Sequence, residues 1–357
     1  MAAHALTLVV AGAGVIGRRH AELVGESGEC TLGAVVDPAP AAVEFARAAG
    51  VPWFAALDEC LARLRPDGVI LATPNALHVP QALACIAAGV PVLVEKPVAH
   101  TVADGERLAA EVDRTQAKLL VGHHRAHSPI LAAARDLIAR GALGRIVAVS
   151  GSALFYKPPE YFTDAPWRTQ PGGGPILINL VHEIGNLRSL CGEIAAVHAV
   201  ASNAVRGFAV EDTVAITFRF ASGALGNFLL SDTAASARSW EQIAQENHAY
   251  ATYPDEDCYT IAGTRGSLAI PTLRLKAYAH DDARSWFTPM QCSTLPLDRA
   301  DPLARQLAHF CAVIRGDATP LVSVHDGLAN LRIVDAIAES ARTGKIVPTL
   351  SSPKVIA

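Results

Sequence analysis

Short apolar runs and helical stripes alternate through the first third of the chain. Leu6–Val10, Leu32–Val36, Val69–Ala72, Val92–Val94 and Leu119–Val121 are short, rich in Val, Ile and Leu, and bounded by Gly, Pro or polar residues. That is the pattern of strands buried on both faces. Between them Arg18–Val24, Ala41–Ala49, Val79–Ala88 and Ala103–Asp113 read as helices. Alternation at this spacing predicts an α/β domain, a parallel sheet with helices on both faces, over residues 1–124.

Beyond that point the pattern changes. Pro129–Arg140 reads as a helix ending at Gly141, Arg145–Ser152 as a strand, and Pro175–Cys191 as one long helix stopped by Gly192. Val214, Ile216, Phe218 and Phe220 then alternate with Thr213, Ala215, Thr217 and Arg219, so one face of that strand is buried and the other is not. Ser222-Gly223 turns this strand into Ala224–Leu230, a hairpin. Cys258–Ala262 and Arg274–Tyr278 read as further strands. Strands following helices predict an α+β domain with an antiparallel or mixed sheet over residues 125–357. Two helices, Leu303–Arg315 and Val324–Thr343, close the chain and are free to pack back on the first domain. Trp240–Glu256 is polar and aperiodic and reads as an ordered loop or a lid.

Composition narrows the function classes. At 357 residues, two domains is the natural expectation, and 51% apolar residues supply large cores. A net charge of -4 with scattered Lys and Arg argues against a nucleic-acid surface. Seven cysteines, odd in number and without a CxxC pair, read as reduced thiols of a cytoplasmic protein. Leu6–Ile16 imitates a signal-peptide core, but no positive residue precedes it, and no apolar run reaches the ~20 residues that span a bilayer. No membrane association is expected.

Gly12, Gly14 and Gly17 form GxGxxG between the first strand and the first helix. The first glycine permits the tight turn, the second lets backbone approach a pyrophosphate, and the third allows helix and strand to pack closely. The phosphates then sit at the positive end of the helix. Asp37, 20 residues beyond Gly17, ends the second strand, where a carboxylate accepts from the adenosine ribose hydroxyls. That carboxylate repels a 2′-phosphate, and Pro38 and Ala39 offer nothing to bind one, so NAD is favoured over NADP.

Ala11–Gly17 with His20, Ala72-Thr73-Pro74-Asn75 with His78, Glu95-Lys96-Pro97, Trp167-Arg168 before Gly172-Gly173-Gly174, and His182 on the following helix resemble, in order, the glucose–fructose oxidoreductase / inositol dehydrogenase (Gfo/Idh/MocA) family. The resemblance implies an N-terminal Rossmann domain and a C-terminal domain with a large open mixed β-sheet, through which members form homodimers or homotetramers. It implies that Val15, Ile16, Thr73, Pro74, Asn75, His78, Glu95 and Lys96 border the cofactor. It makes Lys96 and His182 the catalytic pair, with the proline of Glu-Lys-Pro often preceded by a cis bond. The chain departs from the family at Ile178 and Gly185, where acids are common, so substrate contacts do not transfer.

The residues carry their own argument. Lys96 ends a buried parallel strand, where open α/β sheets bind ligands, and partial desolvation suits a lysine to proton exchange or to polarising a carbonyl. Glu95 is placed to orient that ammonium. On the apolar helix Pro175–Cys191, Asn179, His182, Glu183 and Asn186 fall on one stripe, expected to face a cleft. His182 is then the candidate base for the substrate hydroxyl and Lys96 the group that holds its oxygen, with the roles reversed or shared as alternatives. Arg125, Tyr156, Tyr161 and Trp167 join Asn179 and Glu183 as candidate substrate contacts, and Asp232, Trp240 and Glu241 are weaker ones. His123, His124 and His127 lack a further ligand set, so no metal is expected.

The function expected is NAD-dependent hydride transfer at a CH–OH carbon of a small-molecule polyol, sugar or sugar acid. Alternatives are a dihydrodiol or keto-sugar oxidoreductase, and a non-catalytic NAD(H)-sensing regulator on the same fold.

Overall fold

The structure, a computed structural model, describes residues 5–350. The chain forms two compact units. The first takes the chain through His127 together with Pro302–Leu331; the second takes Ser128–Asp301 and the chain from Arg332 onward.

In the first unit β1 (Leu6–Ala11), α1 (Val15–Glu26), β2 (Cys30–Val36), α2 (Pro40–Ala48), β3 (Trp53–Phe54), α3 (Leu57–Leu64), β4 (Gly68–Leu71), α4 (Asn75–Ala87), β5 (Val92–Glu95), α5 (Val102–Thr115) and β6 (Leu119–Gly122) follow one another. The six strands pair in the order β3-β2-β1-β4-β5-β6, all parallel. Both faces are covered. Val9, Val69, Leu71, Val94 and Val121 pack into one core, and Leu8, Val10, Ile70, Leu93 and Leu120 into another with Leu307 and Phe310 of the helix Pro302–Arg315. This is why the strands read as unbroken apolar runs. β3 and α3 escaped the pattern, the first because it has two residues and the second because its apolar stripe is short. The unit runs three residues past the expected boundary at 124, through the short 3-10 turn His124–His127.

The second unit holds α6 (Pro129–Ala139), β7 (Ile146–Leu154), α7 (Pro159–Thr163), α8 (Val181–Cys191), β8 (Ile194–Ser202), β9 (Thr213–Phe220), β10 (Leu225–Ser231), α9 (Trp240–Ile243), β11 (Tyr259–Gly263), β12 (Gly266–Ile270), β13 (Arg274–Ala277), β14 (Gln291–Thr294) and β15 (Val347–Pro348). Its nine-stranded sheet runs β14-β13-β12-β11-β7-β10-β9-β8-β15. The sheet is mixed, because β7 and β10 pair in parallel while the other neighbours are antiparallel. The alternation in β9 holds: Val214, Ile216, Phe218 and Phe220 are buried with Ile184 and Leu187 of α8. The opposite face exposes Val200, Leu225 and Leu229.

One expectation needs correcting. Pro175–Cys191 is not one α-helix. Ile176–Leu180 is a π-helical turn that leads into α8, and π-turns inside helices often mark functional positions. Of the two readings of Trp240–Glu256, the ordered loop fits: Trp240 and Ile243 are buried and the Trp240 indole donates to the buried Glu246 at 3.1 Å.

Candidate active site

The glycine loop has the shape a dinucleotide requires. Gly12 sits at φ +95, and a Cβ there would lie 2.4 Å from the Ala72 carbonyl oxygen. A Cβ on Gly17 would meet the Gly12 carbonyl oxygen at 1.8 Å, so α1 can start against the loop only with glycine at that position. Gly14 differs: nothing lies within 4 Å of its built Cβ, and the neighbouring Val15 is 89% exposed. The loop is closed on its sheet side and open at the start of α1, which is a cradle for phosphate. Asp37 braces it. One carboxylate oxygen accepts from the Ala13 N–H at 2.7 Å and the other from the Ala39 N–H at 2.8 Å. Each oxygen keeps a lone pair for a ribose hydroxyl. Arg18 donates from Nε to the Ala13 carbonyl and lies over the Phe45 ring.

Three loops meet the same carboxyl edge of the sheet, because β1, β4 and β5 are neighbours and Ala11, Leu71 and Val94 stand in register. Pro74 and Asn75 open α4 and are exposed; Thr73 donates to Gln81 at 2.7 Å. His78 is buried, with Nδ1 2.8 Å from the Pro97 carbonyl oxygen and Nε2 2.9 Å from that of Thr73. It ties the loop after β4 to the loop after β5. Burial lowers its pKa. Lys96 is half-buried and its peptide bond to Pro97 is cis, as the resemblance implies.

Glu95 has a partner that the sequence did not suggest. Its carboxylate engages His20 Nε2 at 2.7 Å and accepts from the Lys96 backbone N–H at 3.1 Å. Both side chains are nearly sealed from solvent. Burial pushes the Glu95 carboxyl up, but the hydrogen bond and charge of His20, with His124 and Lys96, outweigh it and hold the group at about 2. Glu95 therefore fixes the backbone at Lys96 from within the core.

In the second unit the predicted polar stripe divides. Glu183 and Asn186 are buried, and both hydrogen-bond the Tyr259 hydroxyl, Asn186 at 3.0 Å. They face the sheet, not a cleft: a polar pair on an apolar helix is satisfied here by a core tyrosine. Asn179, on the π-turn, turns instead to Lys157, whose Nζ donates to Asn179 Oδ1 at 2.7 Å. His182 is 7% exposed and opens the first turn of α8.

Lys157, Arg206 and Glu211 were not singled out by sequence reasoning, although Asp232 was, and Arg168 was noted only within the Trp167-Arg168 motif. Arg206 Nε pairs with Asp232 Oδ1 at 3.0 Å, and Lys157 Nζ lies 3.7 Å from Asp232 Oδ2. Glu211 accepts from the Ile176 N–H at 2.9 Å, at the start of the π-turn. Tyr161 is half-buried and its ring meets two cations, with Arg168 Cζ 3.7 Å and Lys157 Nζ 4.5 Å from its centre. Burial pushes the Lys157 ammonium down to about 8; Asp232 opposes this, and Arg168 and Arg206 add to it. The available signal was a lone lysine just past a strand end within an aromatic run, Phe155 to Phe162. Tyr156 is exposed and lines an open groove of about 650 Å³ with Phe162, Val205, Arg206 and Phe208; Trp167 is also exposed. Arg125, expected in a cleft, is buried in the first unit at 3% exposure. Among the described residues no group of three or more His, Cys, Asp or Glu is placed to hold a metal ion, and no helix is long and apolar enough to cross a membrane.

Two family models match the chain: "Oxidoreductase family, NAD-binding Rossmann fold" over residues 6–123, and "GFO/IDH/MocA C-terminal domain" over residues 131–269. The chain is similar to the 1,5-anhydro-D-fructose reductase of Ensifer adhaerens, with 31% identity over 291 residues, 78% of each chain. It is 26% identical to an inositol 2-dehydrogenase of Rhizobium meliloti over 92% of this chain and 94% of that protein. Among solved structures, the WlbA dehydrogenase from Bordetella pertussis in complex with NADH and UDP-GlcNAcA matches with a TM-score of 0.77 at 25% identity, covering 98% of this chain and 100% of that one.

Proposed function

The chain belongs to the GFO/IDH/MocA oxidoreductases and binds NAD, and from that premise we propose that Lys96 and His182 carry the proton chemistry of oxidation and reduction at a carbinol carbon of a polyol, sugar or sugar acid. The observation that carries this reading lies in the first unit. Lys96 stands at the same carboxyl edge of the sheet as the glycine cradle, one strand from the Thr73-Pro74-Asn75 loop, with His78 and Glu95 fixing the backbone on either side of it.

NAD supplies the hydride acceptor in oxidation and, when reduced, the donor in reduction. The protein's part is to bind, align and move the proton. His182 takes the hydroxyl proton on its imidazole, and Lys96 holds the substrate oxygen and stabilises negative charge as it develops. The relatives named as acting on anhydrofructose and inositol support the substrate class. The reading includes a homodimer or homotetramer, supported by the exposed sheet face with Val200, Leu225 and Leu229, and a cytoplasmic setting, supported by six buried cysteines that form no disulfide among the described residues.

The test combines turnover with binding. NAD+ and a panel of polyols, sugars and sugar acids are incubated with the protein and NADH absorbance is followed. Lys96→Ala and His182→Ala are expected to lower kcat by about 100-fold or more, while NADH fluorescence titration shows cofactor binding intact. Full turnover in both variants would reject the assignment. Tight NADH binding with no turnover of any substrate by the wild type would favour a sensor of NAD(H) on the same fold.

A further inference from the structure

The second unit holds two positive side chains that the proton chemistry does not use and the fold pairs only in part. Lys157 follows β7 directly and is 8% exposed. Of its three ammonium hydrogens, one goes to Asn179 at 2.7 Å; the nearest carboxylate oxygen, on Asp232, is 3.7 Å away, beyond hydrogen-bond length. Arg168 lies against the same Tyr161 ring. It donates from Nη1 to the Tyr161 carbonyl at 2.6 Å, and its Nε is buried with no acceptor. No carboxylate pairs with it among the described residues. Arg206 is the contrast: it bonds Asp232 through both side chain and carbonyl and reaches the Lys157 carbonyl at 2.9 Å.

A charge removed from water is costly unless it is paired and hydrogen-bonded. Here one aspartate serves both Arg206 and Lys157, and Arg168, half-exposed, has only carbonyl and aromatic contacts, with its buried Nε left without an acceptor. An anionic oxygen group would supply what is missing, since guanidinium offers a donor fork and ammonium further point donors. Asn179, which receives Lys157, stands three residues before His182, one turn along the same helical segment.

We propose that Lys157 and Arg168 form an anion subsite that binds a carboxylate or phosphate on the substrate, so the enzyme prefers an acidic sugar or polyol to a neutral one. The subsite deepens, and rests on, the oxidoreductase reading above. Asn179 keeps the Lys157 ammonium aimed, the Tyr161 ring is the apolar surface that both cations touch, and Asp232 retains Arg206 as the closed side of the cluster.

The experiment uses the full chain with NAD+ and matched substrates: glucose and myo-inositol as neutral compounds, gluconate and glucuronate as acids, and a hexose phosphate. The acids or the phosphate should show kcat/KM at least about tenfold above the neutral compounds. Arg168→Gln and Lys157→Met should each cut that ratio about tenfold, chiefly through KM, with Arg168→Lys intermediate because it keeps the charge and loses the fork. The acid and phosphate arms separate the two sources of anion. Arg168 is half-exposed, so its variants remain informative if Lys157→Met fails to fold. In parallel, the rise in Tm on adding gluconate or the hexose phosphate to the NADH complex is measured for wild type and Arg168→Gln. A wild-type rise that the variant loses supports the subsite even where no compound turns over, a result that would count against the oxidoreductase reading alone. Equal use of neutral and acidic compounds in all proteins, or equal Tm shifts in wild type and variant, would overturn the subsite and leave the oxidoreductase reading standing.

Discussion

Glu95 in the first unit and Lys157 in the second are both ionisable groups withdrawn from water, and their surroundings treat them in opposite ways. Glu95 has a histidine on one oxygen and a backbone N–H on the other, so its charged form is favoured despite burial. At Lys157 burial outweighs the shared aspartate, and two guanidinium groups add to it, so the charged form is disfavoured even with an amide oxygen at hydrogen-bond distance. A buried charge whose partners are complete belongs to the scaffold. One whose partners are incomplete is a place where a ligand can finish the job. The same contrast appears among the glycines, where Gly12 faces backbone that leaves no room for a Cβ and Gly14 faces open space.

The strongest attack on this comparison is by stability. Glu95→Gln keeps the shape and removes the charge that meets His20. At neutral pH it should cost about 3 kcal/mol, read from urea midpoints, the size expected when one partner of a buried pair is lost. The folded value near 2 lies below an unfolded glutamate at ~4.3, so the contribution is complete above about pH 5 and disappears as pH falls toward 2. The gap between wild type and variant should close over that window. Lys157→Met should cost less than about 1 kcal/mol, or stabilise, because it removes an under-compensated charge and leaves Asp232 paired with Arg206. Equal losses in the two variants would mean that the two charges are held alike.

The glycines give a smaller effect of the same kind. Gly12→Ala places a Cβ at 2.4 Å from the Ala72 oxygen in a left-handed backbone and should destabilise the fold by about 1–3 kcal/mol. Gly14→Ala meets nothing, so the urea midpoint should hold while NADH affinity falls by about tenfold. Unchanged NADH affinity in Gly14→Ala would remove the phosphates from that side of the loop.

These contrasts also explain what the sequence could reveal. The glycine loop and Asp37 were legible because they act through backbone geometry, which fixes residue type and spacing within one β-α-β unit. The parallel sheet was legible for a similar reason: strands covered on both faces admit little but Val, Ile and Leu. The second-unit cluster had no such signature. Lys157, Arg168, Arg206 and Asp232 come from four separate stretches of chain and meet only through the fold. The π-turn added to this. The stripe inferred for one continuous helix joined Asn179 to Glu183 and Asn186, whereas the structure sends the first to Lys157 and the other two to Tyr259. The His20 partner of Glu95 was not legible, because it lies on α1, far from it in sequence.

The gentlest test is by pH, and it isolates Lys157. The groups that face its ammonium are Asp232, Arg168, Arg206, Glu211, Tyr161 and Asn179. The guanidinium groups keep their charge throughout. Burial raises the Tyr161 hydroxyl above its ordinary value, so it stays neutral in the working range. Burial raises the carboxyls of Glu211 and Asp232 as well. Lys157, held near 8, loses its charge just above neutral pH. A protonated ammonium binds an anionic substrate and a neutral amine does not. The wild-type KM for an acidic substrate should therefore rise by about tenfold between about pH 7 and about pH 9, the change in charged fraction for a group titrating midway. Lys96 and His182 impose their own pH dependence, but on both proteins alike. The difference between wild type and Lys157→Met thus carries the information: KM in the variant should start high, and the tenfold rise should be missing from it. A wild-type KM that rises equally for neutral sugars would assign the titration to the proton-transfer groups and take Lys157 out of substrate recognition.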